Sequence, residues 1–330
     1  MSSSSSPRPA EQETTKLALE EIEEAEAILD QRPPKVEKAL GEAGPRAPGR
    51  GWVTTALAAP GFIWLGFYLL APLVVIILVS FWQRTDSGFA KTWTTANYGE
   101  LFHDSTYWHN MLTTFETSLI AVVACLVLGY PVAYFLALKV ESLRIQIALF
   151  IIALAPFWTS FLTRAIAWTF PLMGREGALN QLLIKLHIVS DPVDAFGFST
   201  LSVRLAMIQL YILFMITPLF FSLAQVDRAA LEAARDLGAN WWRTFREVIL
   251  PQTMPGIVIG SIFIFVLTMG DYGTVLTVGG GNITSVGTLI YSKIGAIAYP
   301  QGAASAVLLV IVLMFGVWVI TRFANLREEL

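Results

Sequence analysis

Residues 51–83 read GWVTTALAAPGFIWLGFYLLAPLVVIILVSFWQ and contain no Asp, Glu, Lys or Arg. A helix needs about 20 apolar residues to cross the roughly 30 Å of hydrocarbon in a bilayer, and this stretch exceeds that length. The stretch Ile145 to Phe170 is also apolar apart from Arg164. Four further windows are charge-free and long enough to cross, namely Thr117 to Leu138, Leu205 to Val226, Val248 to Gly270 and Ile294 to Thr321. We therefore predict an all-α membrane protein with six transmembrane helices.

The composition of the chain agrees with a membrane domain. Of 330 residues, 55% are hydrophobic and 14% are charged, whereas about a quarter of the residues of a soluble domain are charged. The formal net charge is −3, and residues 1–50 hold ten acidic and seven basic side chains. The remainder is neutral overall and lacks the basic patch expected of a nucleic-acid-binding protein, so we exclude nucleic acid as a partner. Cys125, the only cysteine, is interpreted as a small buried hydrophobe.

The first 50 residues differ in character from the rest. They combine a serine run, Pro33-Pro34 and many glutamates, and such a composition cannot bury enough apolar surface to fold alone. We interpret residues 1–50 as a disordered acidic cytoplasmic tail, with one weak amphipathic helix between Leu17 and Leu29 as an alternative. No short apolar signal-peptide region occurs in this tail, so the first hydrophobic stretch is expected to remain as a membrane anchor. Residues 51–330 then form the transmembrane domain.

The positions of Lys and Arg predict the orientation of the chain, because cytoplasmic loops carry an excess of these residues. Ten cations near span ends fall on one face, against at most seven on the other, and Lys139 to Arg144 alone contributes two. We expect this face and both termini to be cytoplasmic, in a multi-pass protein of the cell (plasma or inner) membrane. The external segments are then Arg84 to His109 and about Pro171 to Arg204, with a short surface helix between Gly177 and Val189.

The connection between the fourth and fifth spans, residues 227–251, reads DRAALEAARDLGANWWRTFREVILP. Asp227 is a good N-cap, and Gly238 can take the left-handed conformation that ends a helix. An apolar face between Trp241 and Ile249 indicates a second short helix, and Pro251 can begin the next span without losing a needed hydrogen bond. We call residues 227–251 the elbow, and we predict two short helices joined by a turn.

The elbow carries a family resemblance. Glu232-Ala233-Ala234 is followed after three residues by Gly238 and after nine more by Val248-Ile249-Leu250-Pro251. This spacing resembles the EAA loop of ATP-binding cassette (ABC) import permeases, which have isoleucine where Val248 stands. The resemblance implies a type I ABC importer permease fold whose coupling helix docks on a separate ATPase subunit, through Glu232, Ala233, Ala234, Gly238, Leu250 and Pro251. A solvated amphipathic linker is the alternative.

A second set of motifs extends the resemblance over roughly Trp52 to Arg322. The segments are Pro156-Phe157-Trp158-Thr159-Ser160-Phe161-Leu162, Gly174-Arg175-Glu176-Gly177, Gly270-Asp271-Tyr272 and Gly279-Gly280-Gly281. Together they resemble the polyamine (spermidine/putrescine) permease subunits. This implies transport of a polyamine-like organic cation delivered by an extracytoplasmic binding protein, and pairing with a second permease subunit. Family members often continue Gly-Asp-Phe-Val-Thr-Pro where this chain has Gly270 to Val275, so an opine, an amino-acid derivative or an inorganic ion remains an alternative substrate.

Enzyme chemistry is not indicated. No G-x-x-x-x-G-K-[ST] phosphate loop occurs, and the three histidines lack metal-ligand spacing. We expect no catalytic residue, metal or cofactor in this chain, with ATP and Mg bound by the partner ATPase. A channel or secondary transporter should show internal symmetry or a charged relay along several helices, and neither is seen. A membrane scaffold would make the Glu-Ala-Ala spacing accidental.

Ionisable residues at membrane depth are costly and usually face a cavity or a partner, which singles out Glu116, Arg164 and Asp271. Asp271 could attract an ammonium group through a charge-assisted hydrogen bond. Its alternatives are a pair with Arg164 or a polar cap at a broken helix. Glu116 is either a pathway residue or an interfacial one.

Aromatic side chains near these residues are the remaining pathway candidates. Trp158, Trp168 and Tyr272 could flank an alkyl-ammonium chain through cation–π contacts, or they could face lipid or pack within the protein.

Overall fold

The computed structural model describes residues 51–85, 88–140, 142–169 and 174–328, so the predicted tail lies outside the described residues. The chain divides into two units, residues 1–69 and 70–330. In the first unit, the described part is the N-terminal portion of a single helix. The second unit holds the rest of the structure.

The described chain is mostly helical, with one small hairpin. Its elements in chain order are helix α1 (Gly51–Ser80), strands β1 (Trp82–Thr85) and β2 (Gly88–Trp93), and helices α2 (Ala96–His103), α3 (Ser105–Tyr134), α4 (Leu143–Leu154), α5 (Phe161–Ala167), α6 (Ala178–Lys185), α7 (Thr200–Ala224), α8 (Arg228–Asp236), α9 (Trp241–Thr244), α10 (Leu250–Gly270), α11 (Gly273–Val278), α12 (Val286–Gly295) and α13 (Tyr299–Glu328).

The predicted spans are present as helices. Within the described residues, five continuous segments are long and apolar enough to cross a membrane: Ala59–Ser80, Ser105–Lys139, Thr200–Ala224, Trp241–Gly270 and Tyr299–Arg322. A sixth crossing comes from Leu143–Trp158 together with Phe161–Ala167, two pieces that meet at an angle of 86°. The fold is therefore all-α with six spans, of which the third is bent.

The bend corrects the expectation that Ile145 to Phe170 forms one uninterrupted span. Pro156 lies in a tight turn, Ala155–Trp158, that ends α4. Because proline lacks a backbone N–H, it favours such an end. The Thr159 N–H and hydroxyl both donate to the Pro156 carbonyl, at 3.2 and 2.7 Å. Thr159 and Ser160 are extended, with ψ of 148° and 139°, and α5 starts in a new direction.

Helix α7 lies at the centre of the bundle, packed against α3 and α10. Glycines bring α7 and α10 close together, since a Cβ on Gly256 would lie 2.7 Å from the Pro218 carbonyl oxygen and 2.6 Å from the Ser222 hydroxyl. A Cβ on Gly260 would likewise lie 2.6 Å from the Met215 sulfur. Small residues at helix interfaces permit this approach in membranes, where van der Waals packing stabilises helix pairs.

The hairpin β1–β2 was not predicted from the sequence. The strands are antiparallel, with Trp82 opposite Trp93 and a bulge after Trp82. The side-chain amide of Asn97 in α2 donates to the carbonyls of Ser80 and Trp82, both at 2.8 Å, and so fixes α2 to the end of α1. The predicted short helix in the second external segment is α6, which ends at Lys185.

Candidate functional site

A cleft of about 1010 Å³ lies where two interrupted helices meet. The first interruption is the bend between α4 and α5, and the second separates α10 from α11 at Asp271 and Tyr272. Helix breaks at membrane depth free polar backbone and side-chain groups to line a cavity. We call this the central cleft, and its lining residues include Phe157, Ser160, Phe161, Arg164, Tyr211, Phe214, Asp271, Tyr272, Thr277 and Tyr291.

Asp271 is the acidic residue of the central cleft, and its side chain is held in place on both sides. The Tyr211 hydroxyl donates to Asp271 Oδ2 at 2.9 Å. The backbone N–H of Thr274 donates to Oδ1, also at 2.9 Å, so the carboxylate caps α11. The residue is 7% exposed. The predicted capping of a broken helix is thus present, and each carboxylate oxygen keeps a lone pair for a further donor.

Arg164 reaches the same cleft from α5. Its guanidinium lies 5.3 Å from the centre of the Phe157 ring, a cation–π contact. Its Nε is buried and has no hydrogen-bond partner within the part of the chain that is described. No ion pair with Asp271 is found there either, so the predicted alternative of an Arg164–Asp271 pair is not present in this structure.

Aromatic rings make up much of the remaining wall. Tyr272 stacks on Tyr291, with ring centres 5.2 Å apart and planes within 13°. Phe161 stacks on Tyr211 at 6.0 Å. Of these four rings, only Tyr272 was singled out from the sequence. A tyrosine inside a charge-free span, as at position 211, was the available signal for a buried polar site.

Three other candidates lie away from this cleft. Trp158 is 81% exposed and does not line it. Trp168 donates its indole N–H to Gln209 Oε1 at 3.0 Å. Glu116 accepts a hydrogen bond from Arg204 at 2.9 Å and has a largely exposed side chain, as an interfacial residue would. The structure therefore brings together Asp271, Tyr272 and Arg164, but not Trp158 or Glu116.

The first half of the elbow, α8 and the turn after it, has the local structure that its residues predict. Asp227 caps α8 by accepting a hydrogen bond from the Ala229 N–H at 2.9 Å. Gly238 ends the turn with φ of +75°, the left-handed region that glycine adopts without strain. Glu232 is exposed, and Leu237 beside the turn is 88% exposed. Leu237 thus adds to an apolar surface with Trp241 and Trp242, which are 63% and 59% exposed.

The second elbow helix differs from the expectation of a separate short helix. It runs from α9 through a wide turn, Phe245–Ile249, into α10, so that Trp241–Gly270 is one helical segment. The Leu250 N–H donates to the Phe245 carbonyl five residues earlier. Such a wide turn accommodates Pro251, which cannot donate to the helix. The elbow and the central cleft consequently lie at opposite ends of one continuous helical segment.

Comparison with known families shows which protein family has this sequence. Residues 129–328, more than half of the chain, match the family described as "binding-protein-dependent transport system inner membrane component". The chain belongs to this family of permeases. It is accordingly a multi-pass protein of the inner membrane and a transport component of an ABC importer.

Curated relatives of this permease carry related names. The chain is 35% identical over 272 residues to the "spermidine/putrescine transport system permease protein PotB" of Escherichia coli K12, covering 81% of this chain and 97% of the relative. The PotB protein of Haemophilus influenzae is 34% identical, with 82% and 94% covered. The "inner membrane ABC transporter permease protein YdcU" of E. coli K12 is 30% identical, with 81% and 87% covered.

Solved structures support the fold of the permease. A bacterial alginate ABC transporter, in complex with an alginate pentasaccharide-bound periplasmic protein, matches with a TM-score of 0.62 at 18% identity, covering 84% of this chain and 93% of that one. This similarity concerns the architecture alone. The type I importer permease fold expected from the elbow is confirmed.

Proposed function

We propose that this permease passes a polyamine-like organic cation across the inner membrane, with the central cleft as part of the path. The observation that carries the proposal is the Asp271 carboxylate, buried among aromatic rings where two helices break. A carboxylate binds an ammonium group through a charge-assisted hydrogen bond. Aromatic faces such as Tyr272 and Tyr291 attract the same group through cation–π contacts. Relatives at 34% and 35% identity that are named spermidine/putrescine permeases support this substrate class.

The elbow is proposed as the contact with a separate ATPase subunit, which binds ATP and Mg and hydrolyses the nucleotide. Glu232 is exposed on α8, where it can meet a cation of that subunit. The small side chains of Ala233 and Ala234 allow close approach. Leu237 and Trp241 supply exposed apolar area, which a soluble partner would cover.

One continuous helical segment connects the elbow to the central cleft. Trp241–Gly270 is a continuous segment of 30 residues, which corresponds to about 45 Å at 1.5 Å per residue. The start of the elbow is fixed to the same helix, since the Asp227 N–H donates to the Gln252 side chain at 3.1 Å. Displacement of the elbow by an ATPase would therefore move the end of α10, where Asp271 lines the cleft.

Two further partners belong to the proposal. An extracytoplasmic binding protein delivers the solute, as the description of the family implies. A second permease subunit completes the path, as the resemblance to two-subunit polyamine permeases implies.

The test is to purify the intact assembly, reconstitute it in vesicles and measure ATP hydrolysis with its binding protein and different solutes. Spermidine or putrescine should stimulate hydrolysis and be taken up in an ATP-dependent manner. Stimulation by an amino-acid derivative or an inorganic ion, and by no polyamine, would contradict the substrate class. Failure of an ATPase to copurify with this chain would contradict the coupling.

A further inference from the structure

The central cleft contains two opposite charges that do not pair with each other. Among the described residues that line it, only Asp271 and Arg164 are charged at neutral pH, so the lining has a formal charge of zero. Neither residue forms an ion pair within the part of the chain that the structure describes. Opposite charges attract strongly in surroundings of low polarity. The separation of these two groups therefore has a structural cause.

Each of the two charges is held by neutral groups. Asp271 accepts hydrogen bonds from the Tyr211 hydroxyl and the Thr274 N–H, both at 2.9 Å. Arg164 lies on α5, and its guanidinium is 5.3 Å from the centre of the Phe157 ring, which belongs to the turn on the other side of the bend. This cation–π contact crosses the bend and holds the guanidinium over the ring. The positive charge thus stays in the cleft without neutralising the carboxylate.

The charge of Arg164 is permanent, because a guanidinium stays protonated in proteins. Its Nε is buried without a hydrogen-bond partner among the described residues. An unpaired charge at membrane depth is costly, and such residues mark the paths of transported solutes. An apolar side chain could pack on the Phe157 ring without this cost. A task that requires a positive charge is therefore expected for Arg164.

Release of the solute is such a task. A transport path must bind its solute firmly enough to admit it and weakly enough to let it leave. Asp271 is 7% exposed and shares the cleft with aromatic rings, so an ammonium group there gains both a charge-assisted hydrogen bond and cation–π contacts. A polyamine carries further ammonium groups, and a fixed guanidinium in the same cleft repels them. Such a cleft holds a polycation less tightly than one that contains the carboxylate alone.

We infer that Arg164 limits the affinity of the central cleft for polyamines, by repelling the ammonium groups that do not bind Asp271, and thereby permits release. The inference rests on the proposed function, because it takes a cation with several ammonium groups as the solute. The two residues act in opposite directions, since the carboxylate raises the affinity and the guanidinium lowers it. The repulsion acts on every ammonium group, so its effect increases with their number.

The experiment measures equilibrium binding of radiolabelled putrescine, a diamine, and spermidine, a triamine, to the intact assembly in detergent without its binding protein. The test variant is Arg164→Gln, and Arg164→Lys retains the charge. The matched control is Arg204→Gln, which removes a partly buried arginine that pairs with Glu116 and does not line the cleft. Asp271→Asn is measured alongside, because it tests the proposed function separately.

Arg164→Gln should bind spermidine roughly tenfold more tightly than the wild type does, and putrescine more tightly by a smaller factor. Single-turnover uptake at saturating spermidine should be slower, because release is slower. Arg164→Lys and the control should bind both polyamines as the wild type does. A purely structural role for Arg164 predicts the opposite sign, since a distorted cleft binds more weakly. If Arg164→Gln does not fold, the neutral variant Arg164→Met should show the same direction.

Unchanged or weaker spermidine binding by the neutral variants would overturn the inference, and so would an equal change for the two polyamines. If Asp271→Asn nevertheless binds spermidine more weakly than the wild type, the proposed function stands and only the role of Arg164 is lost. Absence of polyamine binding by the wild-type assembly would contradict the proposed function, and this inference with it.

Discussion

Asp271 has a structural task that its contacts show and a second task, binding of the transported cation, that we propose for it. It caps α11 through the Thr274 N–H and accepts the Tyr211 hydroxyl, both at 2.9 Å. Capping alone would be served by asparagine, which is also a preferred N-cap residue. A site for an ammonium group requires the charge. The two tasks can therefore be separated by one conservative substitution.

We predict that Asp271→Asn inserts and folds normally but lowers polyamine uptake. Loss of a hydrogen bond to a charged group costs about 1.5–3 kcal/mol, which corresponds to a roughly tenfold or larger decrease. ATP-dependent uptake into reconstituted vesicles is the measurement. Glu116→Gln is the matched control, because Glu116 is exposed and pairs with Arg204 outside the cleft. An uptake rate for Asp271→Asn equal to wild type would remove this carboxylate from the path.

The sequence predicted some of the residues that line the central cleft and missed others. The charges of Asp271 and Arg164 stand out in apolar surroundings, so both were identified, and both line the cleft. Tyr211 and Tyr291 were missed. The span that holds Tyr211 is apolar almost all round, so the pattern did not show which side faces a cavity. Trp158 was selected for its type, but the turn at Pro156 directs it outward.

At the scale of elements, the length of the charge-free windows predicted the number of spans well, but it predicted the first and last residues of the helices poorly. The window Thr117 to Leu138 became a helix that already starts at Ser105, because polar residues in its first turns find partners inside the protein. One example is Thr114, whose hydroxyl accepts a hydrogen bond from the Val286 N–H at 3.1 Å. The window Ile294 to Thr321 likewise ran across the turn between α12 and α13. A charge-free window shows that a segment is apolar, but it does not show where the helix axis changes direction.

The close contact between α7 and α10 gives a prediction of stability. Gly256→Ala should destabilise the protein by about 1–3 kcal/mol, because the added methyl group overlaps the Pro218 carbonyl and the Ser222 hydroxyl. Gly99→Ala in α2 is the control, since nothing lies within 4 Å of its added Cβ. That substitution should stabilise α2 slightly through helix propensity. Thermal unfolding in detergent measures both, and equal shifts for the two variants would contradict this packing.

The elbow gives a prediction about coupling. Replacing Glu232 with Lys and Gly238 with Arg should abolish most ATP-dependent uptake, since both a surface charge and a left-handed turn with φ of +75° are changed. Substrate binding by the extracytoplasmic protein should be unaffected. The control is Lys185→Glu at the end of α6, an exposed change of charge in an external segment. Full uptake with the altered elbow would argue against its role as the coupling element.

At the scale of the whole molecule, coupling to a cytoplasmic ATPase requires the elbow and the external segments to lie on opposite sides of the membrane. Six spans place residues 227–251 on the cytoplasmic side if the termini are cytoplasmic. The hairpin β1–β2 and α6 then lie outside. Sequence predicted this arrangement from the density of Lys and Arg near span ends. Chemical labelling of single cysteines measures this arrangement directly.

The chain is well suited to that measurement, because its only cysteine, Cys125, is buried in α3. In a Cys125→Ala background, a cysteine replaces either Leu237, which is 88% exposed in the elbow, or Lys91, which is exposed in β2. A membrane-impermeant maleimide is applied to intact spheroplasts and to inverted vesicles. We predict that Leu237→Cys reacts only in inverted vesicles and is protected by the ATPase subunit, whereas Lys91→Cys reacts only in spheroplasts. Labelling of Leu237→Cys in intact spheroplasts would contradict it.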